Sequence, residues 1–142
     1  MGLFDFIGDI GNKIFGDEDD ASEKVKAHLE EDNPGITNLQ VEINEGVAVI
    51  SGETESSSAY EKAILMAGNI FGISEVRADN LSGDVMLGTE YYTVEKGDTL
   101  WGIASKFYGN GSKYKLIFEE NKEVIKDPDL IFIGQKIRIP AE

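Results

Sequence analysis

The stretch Tyr91-Tyr92-Thr93-Val94-Glu95-Lys96-Gly97-Asp98-Thr99-Leu100-Trp101-Gly102-Ile103-Ala104 changes its periodicity half-way. Its first four residues are aromatic or β-branched, and residues 91–95 read as a strand. Gly97-Asp98 turns the chain, and Asp98 or Thr99 can cap a helix whose inner face is Leu100, Ile103, Ala104 and Phe107, repeating at three- and four-residue steps. Asn110-Gly111 makes a second turn, a further helix from Ser112 presents Leu116, Ile117 and Phe118, and residues 136–139 close with a strand. The order β, α, α, β in about fifty residues gives a minimal core that gains from packing against a neighbour.

Upstream, residues 83–90 read as a connection containing Gly83 and Gly88, with a domain boundary there. Before it the pattern is α, β, β, α, β over residues 20–82. Asp20 and Glu23 have the spacing of a capping pair, and the helix they start runs to about Glu31 with Val25 and Leu29 facing inward. Leu39, Val41 and Ile43 alternate with polar residues, Asn44-Glu45-Gly46 turns the chain, and residues 47–50 form a β-branched run, so the pair reads as a hairpin. Ser58 and Glu61 offer a second capping box for a helix carrying Tyr60, Ala63, Ile64, Ala67, Ile70 and Phe71 on one face. The helix breaks at Gly68-Asn69-Ile70-Phe71-Gly72-Ile73, and residues 73–80 are expected as a third strand. The fold class is therefore α+β, a small αββαβ layer domain followed by a βααβ domain over residues 91–142.

Residues 1–19 stand apart as an N-terminal helical segment and acidic linker. Leu3, Phe4, Phe6, Ile7, Ile10, Ile14 and Phe15 line one face of a helix, but Gly2, Gly8 and Gly11 each weaken it by about 1 kcal/mol relative to alanine. Such an element is stable only when docked. Asp5 and Asp9 on its polar face argue against a membrane anchor. Phe6 replaces the Ser or Thr that myristoylation at Gly2 requires.

The 142 residues carry 13 Lys and Arg against 27 Asp and Glu, a formal charge of -14, which disfavours nucleic-acid phosphate and anionic lipid as partners and attracts cations. No cysteine is present, so thiolate metal sites, disulfides and thiol nucleophiles are excluded. The opening has no secretory character and no run reaches a membrane span, so the chain is expected to be cytoplasmic; it is also expected to be a monomer. A single histidine, His28, has no second histidine with which to build a metal site and reads as a partly exposed structural residue. Neither the phosphate-binding loop nor the Ca²⁺ loop pattern occurs: Gly109-Asn110-Gly111 lacks the lysine arrangement, and the acidic run at Asp17 lacks the glycine. The chain is not expected to be an enzyme.

Two motifs carry a family resemblance. Tyr92-Thr93-Val94-x-x-Gly97-Asp98-Thr99-Leu100-x-x-Ile103-Ala104 and Gly134-Gln135-x-Ile137-x-Ile139-Pro140 resemble both ends of the LysM pattern, with Ile133 departing from the usual proline. The first domain resembles a BON domain in its element order and its Gly68-Asn69-Ile70-x-Gly72-Ile73 turn. The two in this order, opened by Met1-Gly2-Leu3-Phe4-x-Phe6, resemble the family of small bacterial cytoplasmic potassium binding proteins. That resemblance implies reversible K⁺ binding, compaction on binding and a link to growth in high potassium. By alignment to the family's motifs it implies main-chain ligands at Ile7, Gly8, Ile10, Gly68, Ile70 and Ile73.

The chemistry agrees with that implication. K⁺ releases its water readily, and neutral carbonyl dipoles can replace the shell without strict geometry. A helix C-terminus supplies carbonyls without intrahelical partners and the negative end of the dipole. The carboxylates are screened beyond about 8 Å and do not discriminate K⁺ from Na⁺. The same residues taken without the resemblance read as cap glycines and core.

A second function stands beside this one. LysM domains commonly bind N-acetylglucosamine polymers such as peptidoglycan, and the corresponding positions here are Gly97, Asp98, Thr99 and Leu100 with Asp129, Leu130 and Ile131. Trp101 is either a sugar-stacking platform or part of the small core.

Overall fold

The computed structural model describes residues 3–8, 11, 13–14, 18–84, 88–129 and 131–141, with only the backbone of residues 18 and 19. The first layer begins with α1 (Glu18–Glu31), followed by the hairpin β1 (Thr37–Asn44) and β2 (Val47–Glu53). Glu45 and Gly46 connect the two strands with φ of 48° and 81°, the left-handed pair that matches strand twist in a two-residue turn. α2 (Ser57–Gly68) crosses over to β3 (Glu75–Ser82), which pairs parallel to β2 and completes a sheet of order β1-β2-β3. α1 packs on β1, and α2 packs on β2 and β3. Val25 and Leu29 are fully buried, as their spacing predicts.

The second layer contains β4 (Glu90–Thr93), α3 (Leu100–Tyr108), a 3-10 turn (Gly111–Lys113), α4 (Tyr114–Glu119) and β5 (Lys136–Ile139). β4 and β5 form an antiparallel pair. Thr99, not Asp98, caps α3, accepting the Gly102 N–H at 3.0 Å. Asp98 instead accepts the Tyr92 hydroxyl and the Glu95 N–H. Burial foremost, then the hydrogen bond to Asp98, pushes the Tyr92 phenol up to about 12.

The sequence reading is corrected at several points, beginning with α1, which starts at Glu18, so that Asp20 lies inside the helix rather than capping it with Glu23. The cap of α2 is Ser56, which accepts from Ala59 N, so Ser58 and Glu61 form no capping box there. Phe71 lies outside the inner face of α2 at 39% exposure, because the helix has already ended, and Lys13 Nζ sits 5.5 Å from its ring centroid. Residues 3–8 are not helical: Phe6 N donates to Ser74 O at 2.9 Å, Val76 N donates to Phe4 O at 2.9 Å, and Asp5 bridges Glu75 antiparallel. β3 otherwise presents an open edge, and pairing with it satisfies more backbone groups than a glycine-weakened helix. β3 itself starts two residues later than residues 73–80 predicted.

α2 is buried on nearly every side because a second surface covers it. β5 packs across its outer face, and all four residues of β5 are buried, Lys136 at 1% and Arg138 at 0% exposure. Arg138 Nε donates to Glu61 Oε1 at 2.7 Å, Arg138 Nη1 donates to the carbonyl of Glu120 at 2.9 Å, and the Tyr91 hydroxyl donates to Glu61 Oε2 at 3.0 Å. Lys62 pairs with Glu123 at 2.7 Å, and Lys126 with Asp32, at the rim of the same contact.

His28 lies half-buried near that rim. Burial foremost, then the Lys126 ammonium, holds its imidazole below the ordinary 6.5, against the opposing pull of Glu31. The unfolded chain therefore binds this proton more readily, and the stability contributed by neutral His28 falls as pH drops below 6.5 towards the folded value. Melting temperatures measured between about pH 7.5 and about pH 5 should fall more steeply in the wild type than in His28→Gln. Equal slopes would show that His28 contributes nothing.

Candidate functional site

The C-terminal end of α2 is where chain segments from three places meet. Asn69 caps the helix, its N–H returning to Leu65 O at 3.0 Å, and the chain then turns through residues 70–74 into β3. The helix leaves its last carbonyls without intrahelical partners and points its negative end at this turn. The N-terminal stretch docks on it: Gly72 N donates to Gly8 O at 2.6 Å, and Gly8 lies against Ser74, whose Cβ is 3.3 Å from the place a Gly8 Cβ would occupy. Gly11, at φ 137°, abuts the backbone of residues 69–71 so closely that a Cβ there would stand 2.6 Å from Asn69 O. The Phe6 ring covers Gly68, leaving no room for a side chain at that position. The hairpin turn is the third element, its Gly46 O accepting the Ser74 N–H at 2.8 Å.

The structure thus brings Gly8 to the turn that holds Gly68, Ile70 and Ile73. The Ile70 and Ile73 side chains are core, and Gly68 is buried, while Ile7 and Gly8 are half-buried. Ile10 lies outside the described residues. Gly8 O accepts from Gly72 N, and Ile70 O accepts from Ile73 N at 3.1 Å. A carbonyl has two lone pairs, so each of these oxygens keeps acceptor capacity beyond the bond it makes. No group of three or more His, Asp or Glu side chains arranged for a metal ion occurs among the described residues.

Sequence reasoning passed over three residues here. Asn69 is buried and uses both ends of its amide on the backbone of β5: Asn69 Nδ2 donates to Lys136 O at 2.7 Å, and Lys136 N donates to Asn69 Oδ1 at 2.8 Å. Lys136 turns its ammonium onto the carbonyl of Asp5, 4.6 Å from the centroid of the Phe6 ring. Burial foremost lowers the Lys136 ammonium from its ordinary value, with Asp5 opposing. The third residue is Gly46. The signal in the sequence was a lysine and an arginine alternating with isoleucine in a closing strand, on a domain too small to fill its own core.

The alternative glycan positions are also partly assembled. A cleft of about 420 Å³ is lined by Asp98, Thr99, Leu100, Trp101, Asp129 and Ile131, among others. Gly97 lies outside the lining, and Leu130 lies outside the described residues. Trp101 is 57% exposed, so it is no part of the core. Its ring covers Gly111 and stands 5.9 Å from that of Tyr114, which presents an aromatic wall to the cleft.

Comparison with known proteins follows the same division. A BON domain model matches residues 17–83 and a LysM domain model matches residues 92–140. Potassium binding protein Kbp of Escherichia coli is 38% identical over the whole of this chain and the whole of its own. The chain belongs to the Kbp family. An uncharacterized protein of Deinococcus radiodurans is 34% identical over 66% of this chain and 40% of its own length. An esterase of Mycobacterium tuberculosis is 48% identical over 48 residues, a tenth of that enzyme, a share too small to carry its activity across to a member of the Kbp family. Among the described residues no helix is long and apolar enough to cross a membrane.

Proposed function

We propose that this chain binds potassium ion reversibly and selectively through the main-chain carbonyls of Ile7, Gly8, Ile10, Gly68, Ile70 and Ile73, and that its two domains draw together on binding. It then serves as a cytoplasmic sensor or buffer of K⁺, acting as a monomer rather than as an enzyme. The observation that carries this reading is the seating of the glycine-rich N-terminal stretch on the turn after α2, through Gly72 N to Gly8 O and the close approach of Gly11 to residues 69–71. The Escherichia coli relative is a potassium binding protein, which supports the choice of ion. The donor set fits the ion: neutral dipoles at the negative end of a helix suit a weakly hydrated monovalent cation better than one demanding rigid geometry. The ion is cargo here and becomes a clip between segments that lack stability of their own.

Titrating KCl against NaCl at equal ionic strength should raise the melting temperature with potassium alone. At a hundred times its dissociation constant the ion adds about 2.7 kcal/mol, or roughly 5–10 °C for a chain of this size. An equal response to both salts would reduce the effect to screening.

The Trp101 cleft favours a second reading, a module that binds peptidoglycan through N-acetylglucosamine units stacked on the aromatic wall. Retention on insoluble peptidoglycan, lost in Trp101→Ala, would support it. Passage of the wild type through without retention would remove it.

A further inference from the structure

The cleft beside Trp101 carries a charge that stacking on a neutral sugar does not use. Two of its walls are rings: Trp101 is packed on Gly111 and still 57% exposed, and Tyr114 stands 5.9 Å away with its plane tilted by 41°. Asp98 and Asp129 add two carboxylates to the lining, and no Lys or Arg lines the cleft among the described residues. Both hydrogen bonds that Asp98 accepts, from the Tyr92 hydroxyl and the Glu95 N–H, fall on Oδ2, which leaves Oδ1 for another donor. Asp129 is exposed. The N-terminus of α3 opens at the same place with about half a positive charge, but Thr99 already accepts the Gly102 N–H, and two full negative charges outweigh the remainder. Among the described residues the ammonium groups of Lys13, Lys106 and Lys136 lie over Phe71, Tyr92 and Phe6, and none lies over Trp101.

We propose that this cleft binds a small organic cation, an alkylammonium group held against the Trp101 ring with its charge met by Asp98 and Asp129. The proposal is independent of the potassium reading and competes with the peptidoglycan reading for the same surface. An ammonium over an indole face is attracted by the ring quadrupole, and tryptophan is the strongest of the aromatic side chains in this respect. The two carboxylates add a Coulomb attraction on which a neutral N-acetylated sugar cannot draw. A bare K⁺ has no apolar surface to bury against two rings, whereas the methyl or methylene groups of an alkylammonium do. The cleft and the carbonyl turn therefore sort cations by opposite chemistry. Its volume of about 420 Å³ lies within the range of small-molecule sites.

Trp101 is the only tryptophan in the chain, so its fluorescence reports this cleft alone. The full chain is titrated with choline chloride, at an ionic strength held constant with NaCl, and with the neutral isostere of choline in which carbon replaces the ammonium nitrogen. Choline should change the Trp101 emission and bind about five-fold or more tightly than the isostere. Asp129→Asn, at an exposed position, should weaken choline by about two- to five-fold and leave the isostere unchanged. Glucosamine against N-acetylglucosamine makes the same comparison on a sugar. A response to choline alone assigns the cleft to free amines and one to glucosamine alone to deacetylated amino sugars; either upholds the ammonium.

Equal affinity for choline and its isostere overturns the proposal, because the cleft is then merely apolar, and so does an Asp129→Asn variant that binds choline as the wild type does. A response to N-acetylglucosamine oligomers with none to choline or glucosamine overturns it in favour of the glycan. Silence of Trp101 towards every probe, with no heat on calorimetric titration, removes it as well. None of these results touches the potassium reading, whose melting-temperature test stands on its own.

Discussion

Truncating Glu61 to alanine is expected to cost the folded chain about 3–5 kcal/mol, because it removes the fully buried carboxylate that pairs with the buried Arg138 guanidinium. Both side chains are inaccessible to solvent, and the pair is 2.7 Å apart with the Tyr91 hydroxyl on the second carboxylate oxygen. Arg138 Nη1 retains the Glu120 carbonyl and carboxylate at 2.9 and 3.1 Å, but Glu120 is partly exposed and does not replace the lost charge. Burial foremost, then Glu61, raises the Tyr91 phenol above its ordinary value, so its hydroxyl stays a donor throughout the neutral range. Urea unfolding gives the measurement. The double variant Glu61→Leu with Arg138→Met should be less destabilised than either single truncation, because it removes the uncompensated charge with its partner. A single-variant loss below about 1 kcal/mol would show that this contact does not hold the two domains together.

The second large effect is expected at Gly11. Alanine there would adopt φ 137°, and its Cβ would lie 2.6 Å from Asn69 O and 2.9 Å from two further main-chain atoms. None of these atoms belongs to a flexible side chain that can swing away. The strain is about 1–3 kcal/mol, and the chain relieves it by lifting the N-terminal stretch from the turn. Under the potassium reading the affinity should then fall about ten-fold or more, since each 1.4 kcal/mol is a factor of ten. Calorimetric titration with KCl measures the affinity. Faster exchange of the Gly72 amide, which donates to Gly8 O, would report the detachment itself. Deleting residues 2–11 should abolish the potassium response altogether, and unchanged affinity in either variant would exclude the N-terminal stretch from the site.

Much of the scaffold was legible in local pattern. Val25 and Leu29 one turn apart, the alternation of Leu39, Val41 and Ile43, the Glu45-Gly46 turn, and the LysM motif from Tyr92 to Ala104 each record an interaction between near neighbours in the chain. The errors fall where a distant partner outweighed that signal. The apolar period of Leu3, Phe6, Ile7 and Ile10 reads as a helix, yet residues 4–6 pair with β3 because its edge was open and three glycines made the helix weak. Glu61 sits three residues after Ser58 as a capping partner would, but an arginine 77 residues away takes its carboxylate.

The sequence by itself determined the α+β class, the order of the elements and the turn at residues 68–73, because periodicity, capping and glycine conformation act over a few residues. Only the tertiary structure decided that the N-terminal stretch extends the sheet and that the turn is gripped from the LysM side through Asn69 and Lys136. A charged residue in a closing strand looks like a solvent-facing one until the surface that buries it is known. That surface comes from another part of the chain, and no local pattern of residues records it.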